Sequence, residues 1–167
     1  MREPVLSDLA PGDAGWIVMR HGALYARDEG YGPAFEALVA RVVAEFLDTR
    51  DPARERAWMA RLDERTVGSV LLCADPDGWA RLRCFLVEPE MRGTGLAERM
   101  FDALCAFARD TGYPGLRLWT HESHRAAGRL YRRKGMTLVP TAPVEAFDQR
   151  TVEQVWEMPL HARAPDP

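Results

Sequence analysis

The stretch "CFLVEPEMRGTGLAERMFD", residues 84–102, runs from a continuous apolar segment through a proline and two glycines into a helical pattern. That order constrains the chain more than any other feature. Pro89 removes a backbone donor and holds Glu88 extended, so a strand ends there. Beyond the glycines, Leu96, Met100, Leu104 and Phe107 recur along one helical face, and Gly112 is suited to stop the helix in a left-handed cap. A strand, a glycine turn and a helix in immediate succession point to a mixed α/β architecture.

The flanking sequence extends this reading. "GWIVMR" at 15–20 follows a Pro-Gly-Asp turn signal and reads as a first strand, and "HGALYARDEG" as a short helix ended by Gly30 and Gly32. Over 33–49, Phe35, Leu38, Val39, Val42, Val43 and Phe46 form an amphipathic helical stripe. "AWMARL", "VGSVLLCA" and "ARLRCFLV", separated by "DER" and "DPDG", predict a three-strand antiparallel meander over 57–87. "LRLWT" at 116–120 is a strand. Ser123 can cap a helix through Ala127, Leu130 and Tyr131 to Gly135, and "MTLV" and "TVEQVWEMPL" close the chain as strands around a loop at 140–150. The expected fold is α/β (α+β): a mixed, mostly antiparallel twisted sheet of about seven strands flanked by about four helices. Residues 1–160 read as a single domain and 161–167 as a frayed tail.

Composition narrows the function classes. A hydrophobic content of 47% with 28% charged residues is that of a globular chain. The longest apolar runs, such as "VLLCA" at 70–74, fall far short of the roughly 20 residues that cross a bilayer. The start lacks the pattern of a signal peptide, so cytoplasm is the expected compartment and no membrane partner is expected. A net charge of −3 gives no bulk attraction to nucleic acid. Cys73, Cys84 and Cys105 lack metal-ligand spacing and read as free thiols. Cys73 and Cys84 could face each other across a hairpin, although a reducing cytosol argues against a bridge.

A glycine-rich turn at a helix start concentrates bare N–H groups and the positive end of the helix dipole, which suits a phosphate. It also suits a plain chain reversal. The dinucleotide fingerprint is excluded, because Gly93-Thr94-Gly95 is followed by Leu96, Ala97 and Glu98. A Walker loop is excluded as well, since the only lysine, Lys134, precedes Gly135.

Arg92, Gly95 and Ala97 satisfy R-x-x-G-x-A, and this segment resembles the pyrophosphate-binding signature of the GNAT superfamily of acyl-CoA-dependent N-acyltransferases. "AAGRLYRRKGM" at 126–136 resembles the family's A-x-x-L-Y-x-x-x-G-F segment through Ala127, Leu130, Tyr131 and Gly135, with Met136 in place of the aromatic. "RHGALYARDEGY", "FEALVARVVAEF", "LWT" and the closing "LVP…FDQRTVEQVWEMPL" are similar to the acetyltransferase half of proteins that fuse a MarR-type winged helix to a GNAT domain. These 167 residues contain no segment similar to the winged-helix half. The closing loop reads "VEAFDQR" where typical members carry a His-Ser-Phe-Gly-like stretch.

The resemblance implies acetyl-CoA as cosubstrate, without a metal. Its diphosphate would lie on Arg92, Gly93, Thr94, Gly95, Leu96 and Ala97. Its pantetheine would pair with backbone near Phe85 and Val87, where the strand splays from its neighbour and one N–H serves as oxyanion donor. Ala127 belongs to the same cofactor segment, and His124 stands where many members carry a pantetheine-binding asparagine. Tyr131 would protonate the departing thiolate; a core aromatic fits the same helical pattern. Glu88 and Glu36 are candidate general bases, and His21 titrates in a useful range. Each also suits a structural role. The tryptophans at 16, 58, 79, 119 and 156 read mostly as core, and Trp119 could instead wall an acceptor pocket.

The expected function is direct acetyl transfer in a ternary complex to a primary amine on a small molecule or peptide. The alternative is a catalytically weak acyl-CoA-binding sensor or interaction module. A closing strand left exposed would offer a homodimer edge.

Overall fold

The computed structural model describes residues 3–160; the tail expected at 161–167 lies outside the described residues. The chain divides into two compact units. The first comprises residues 51–118 with the segments before residue 9 and after residue 156. The second comprises 9–50 and 119–156.

In the first unit, β1 (Val5–Ser7), β2 (Arg56–Leu62), β3 (Arg65–Ala74) and β4 (Ala80–Val87) pair antiparallel in that order. The meander expected from the period-two pattern is present. Its turns use the anticipated residues, with Asp63 left-handed at φ 54° and Gly78 N–H donating to Asp75 O at 2.9 Å. The parallel partner of β4 is the start of β5 (Gly115–His121), in the register Ala80 to Leu116 and Arg81 to Arg117. Arg117 fixes that start: Nε donates to Glu157 at 3.0 Å, an Nη donates to Asp77 at 2.6 Å, and the guanidinium stands 4.8 Å over the Trp79 ring.

Helix α3 (Leu96–Asp110) packs on β2, β3 and β4. Leu96, Met100, Phe101, Leu104, Cys105 and Ala108 are buried along it. Each large apolar side chain removed from water contributes about 1.5–3 kcal/mol, so this face seats the helix, and with it the turn before it, against the sheet.

In the second unit, α1 (Asp13–Glu29) packs on α2 (Pro33–Thr49). The first strand expected at 15–20 is instead part of α1, and the "HGALYARDEG" helix is its continuation. Ile17, His21 and Leu24 are buried at spacings of four and three, a helical period that outweighs the β-branched run Ile17-Val18. The first strand is β1, farther upstream. Gly30 closes α1, its N–H donating to Ala26 O at 3.1 Å.

Helix α4 (Arg125–Arg133), β6 (Thr137–Val139), β7 (Pro143–Ala146) and β8 (Gln149–Pro159) complete the fold. His124, not Ser123, is the N-cap of α4, and no side chain caps it; the Ser123 hydroxyl instead bonds Tyr31. The expected loop at 140–150 contains β7, paired with β8 through Phe147 and Asp148, both left-handed at φ 53° and 62°. Two consecutive left-handed residues make the tight hairpin turn whose twist matches the strands. The order here is β5-β8-β6 with β7 on β8, giving eight strands in all. β8 has partners on both sides, and β6, the other closing strand, ends the order. No described helix is long and apolar enough to cross a membrane.

Candidate active site

The turn that follows β4 belongs to the first unit. A single 3-10 turn, Pro89–Met91, leads into it, and Met91 O accepts from both the Thr94 hydroxyl at 2.7 Å and the Thr94 N–H at 3.4 Å. Gly93 and Gly95 are left-handed at φ 77° and 87°, and a Cβ at either position would meet nothing within 4 Å. Their glycines are therefore required by backbone conformation, with open space in front of them. Gly95 is the N-cap of α3 without a side-chain cap bond. Helix geometry leaves the N–H groups of the first turn without intrahelical acceptors, and they carry the positive end of the helix dipole. Arg92, Gly93, Thr94 and Gly95 are exposed, Ala97 is half-buried, and Leu96 is buried as the anchor of the helix.

β4 is bulged just before this turn. Ser69 pairs with Leu86 and Leu71 with Arg83, so Val70 faces both Cys84 and Phe85. Cys84 adopts φ 49°, and Ser69 Oγ donates to its carbonyl at 3.0 Å. Such a bulge re-aims the strand beyond it. The parallel register with β5 covers Ala80 and Arg81, and β4 runs on to Val87. Phe85 and Val87 are half-buried on either side of buried Leu86. Glu88, at the strand's end, is buried, with its N–H donating to Val67 O at 2.9 Å. Burial pushes the Cys84 thiol up to about 12, which removes the thiolate a covalent route would need. Cys73 pairs with Arg81 across the β3–β4 ladder, so it does not face Cys84, and none of the three cysteines is in a disulfide.

Tyr131, His124, Ala127 and Glu36 belong to the second unit. Tyr131 is buried on α4, its ring 6.0 Å from Trp156. Burial, reinforced by Tyr25, holds its phenol well above the ordinary range, so it keeps its proton. Ala127 lies one turn earlier on the same helix, half-buried. His124 is not a free surface residue: Nδ1 is 2.8 Å from the Thr120 hydroxyl, and Nε2 is 3.5 Å from the Glu29 carboxylate. Glu36 sits on α2 with its carboxylate against Gly22 of α1, where any side chain at residue 22 would collide with it.

Around Tyr25 the second unit gathers rings that sequence reading did not connect. Tyr25 lies 4.6 Å from Phe35, 5.9 Å from Tyr31, 5.1 Å from His124 and 5.9 Å from His21. Phe147, at the hairpin tip, lies 4.9 Å from Tyr31 and 5.1 Å from Phe35. Tyr31 bonds His121, and Gln149 Nε2 donates to the Glu29 and Gly30 carbonyls at 2.9 and 3.0 Å, tying the hairpin to the end of α1. The rings come from α1, the α1–α2 connection, α2, β5, α4 and the β7–β8 turn, so no local spacing could have revealed them. The one available signal was that three of the four histidines fall here.

His21 donates from Nδ1 to Ile17 O at 2.8 Å, which leaves Nε2 as a bare lone pair, buried and without a hydrogen-bond partner. Burial pulls its imidazole down to about 4. That overturns the expectation of a group titrating near neutrality. Trp119 is 38% exposed and is not core; Trp58 and Trp156 are buried.

The acetyltransferase (GNAT) family profile matches residues 20–136. Among solved structures, the chain is similar to a provisionally named acyl-CoA N-acyltransferase of Klebsiella pneumoniae, at 28% identity and TM-score 0.63, over 95% of this chain and 98% of that one. A provisionally named acetyltransferase of Salmonella typhimurium, solved with its cofactor acetyl-CoA, aligns at 14% identity and TM-score 0.76 over 99% of both chains. The ribosomal-protein-S18-alanine N-acetyltransferase of Escherichia coli aligns at 16% identity and TM-score 0.70 over 98% of both. Comparison with curated proteins finds no match. On the profile match across most of its length, the chain belongs to the GNAT acetyltransferase family.

Proposed function

We propose that this protein transfers an acetyl group from acetyl-CoA directly to a primary amine in a ternary complex. The observation that carries this reading is the exposed turn of two left-handed glycines feeding the N-terminus of α3, open in front and directly after a bulged strand. It fits a diphosphate, and the bulged end of β4 fits an extended amide-bearing arm. The similarity of "RHGALYARDEGY" and the closing segment to the acetyltransferase half of MarR–GNAT fusions belongs to the same reading, as does a cytoplasmic location.

In this mechanism the turn amides of Gly93, Gly95, Leu96 and Ala97, with Arg92 and Thr94, hold the diphosphate. Backbone groups at Phe85 and Val87 align the pantetheine, and one N–H there stabilises charge developing on the thioester oxygen. An alkylammonium has a reference pKa near ~10.4, so one proton must leave before attack. Glu88 is the first candidate to take it through water and Glu36 the second. The C–N bond forms as the C–S bond breaks. Tyr131, kept protonated by burial, gives its proton to the departing sulfur and regains one from the amide nitrogen's second loss. Ala127 and His124 are further proposed contacts of the coenzyme.

The test is calorimetric titration with acetyl-CoA, paired with a thiol-release screen over mixed amines. Binding with turnover supports the enzyme. Binding without release across the panel favours the sensor alternative, and absence of binding overturns both.

A further inference from the structure

The second unit's ring cluster has the composition of a cation site, and it adjoins the residue assigned to protonate the leaving group. Tyr25 acts on Tyr131 electrostatically and is ring to ring with Tyr31, Phe35, His21 and His124. The rings are tilted or edge-on rather than flatly stacked, at 33° for Tyr25 with Phe35, 40° for Tyr31 with Phe147 and 83° for Phe35 with Phe147. Tyr25, Phe35 and Phe147 are only half-buried, so the cluster reaches solvent.

Glu29 acts on Tyr31, His121 and His124, and Glu153 acts on His121. Burial lowers the pKa of His21, His121 and His124, so at neutral pH the imidazoles add no positive charge. Rings and carboxylates together attract a cation. The buried Nε2 of His21, stacked on Tyr25 and lacking a donor, adds an acceptor for an N–H. A buried lone pair is destabilising unless something donates to it.

The reacting nitrogen cannot be the cation so held, because it must be neutral to attack. The cation is a second one on the same molecule. We infer that the cluster of Tyr25, Tyr31, Phe35 and Phe147 with Glu29 and Glu153 binds the distal ammonium of a di- or polyamine acceptor that lacks a carboxylate. This rests on the acetyl-transfer reading. The reaction it serves converts a diammonium and acetyl-CoA into the mono-N-acetyl ammonium, free CoA thiol and one proton.

The test uses the full chain and two readouts. Calorimetry with desulfo-CoA present measures binding of 1,4-diaminobutane, n-butylamine and ornithine; thiol release measures kcat/KM for the same three. The diamine is expected to bind and react at least 10-fold better than butylamine, which lacks the second cation, and ornithine, which adds a carboxylate. Glu29→Gln and, as a second variant that removes a ring without touching charge, Phe35→Leu are each expected to raise the diamine KM about 5- to 10-fold more than they raise the butylamine KM. Equal handling of the three amines with intact acetyl-CoA binding overturns the inference alone. Loss of acetyl-CoA binding in the unmodified protein overturns the acetyl-transfer reading and this inference with it.

Discussion

The phenolic oxygen of Tyr31 stands 2.6 Å from Nδ1 of His121, across 90 residues of sequence. Burial first, and Glu29 second, raise the Tyr31 phenol to about 12, so it is protonated and donates. His121 therefore accepts at Nδ1 and carries its proton on Nε2, and burial keeps it neutral. Nitrogen NMR of the histidines should report the Nε2–H tautomer at neutral pH. Tyr31→Phe should release that tautomer preference and cost about 0.5–1.5 kcal/mol in a denaturant titration. An unchanged His121 spectrum in the variant would contradict the assignment.

Gly95 sits at φ 87° with open space before it. Gly95→Ala should cost about 1–2 kcal/mol of stability for the left-handed backbone while leaving the fold intact. Gly95→Asp should add a negative charge where a diphosphate is proposed, weakening acetyl-CoA at least 100-fold by calorimetry. Equal affinity in the two variants would remove the diphosphate from this turn.

Tyr131→Phe keeps the buried ring on α4 and removes the proton donor. Turnover should fall about 100-fold, at the low end for general acid catalysis, with the acetyl-CoA Kd within about 2-fold of the parent. Turnover that does not change would return Tyr131 to the role of a core aromatic.

His21 has its imidazole pulled from 6.5 to about 4 by burial. A base whose folded pKa is depressed has its full stability above pH 6.5, and that stability is lost as pH falls towards 4, because the unfolded chain takes up the proton first. At about 1.36 kcal/mol per unit the loss reaches about 3 kcal/mol. The His21→Gln variant should show a shallower fall in its urea midpoint between pH 6.5 and 4 than the parent. Parallel curves would mean His21 protonates without hindrance in the folded state.

Glu88 is buried at the end of β4. Glu88→Gln should lower kcat at least 10-fold, with acetyl-CoA affinity preserved. If kcat is unchanged, Glu36→Gln is the variant that should lower it.

What the sequence determined by itself was whatever depends on neighbours along the chain. Residues 57–87 alternate with turn residues at the right spacing, and the meander followed. Leu96 to Ala108 recur at helical period, and Gly112 stopped the helix. The glycines at 93 and 95 announced a turn, and the structure gave them positive φ with open space. Where local signals competed, the sequence misled: Ile17 and Val18 favour a strand, yet the buried positions Ile17, His21 and Leu24 share one helical face, and burial outweighed propensity. The hairpin turn at Phe147 and Asp148 escaped notice because neither residue is a glycine or asparagine. Only the tertiary structure could assemble Tyr25, Tyr31, Phe35, His121, His124 and Phe147, which come from six separate elements or connections and touch through rings rather than through sequence. It also decided protonation, because a side chain's pKa depends on how much water the fold removes from around it: His21 became a buried neutral acceptor, and Tyr131 a phenol that holds its proton.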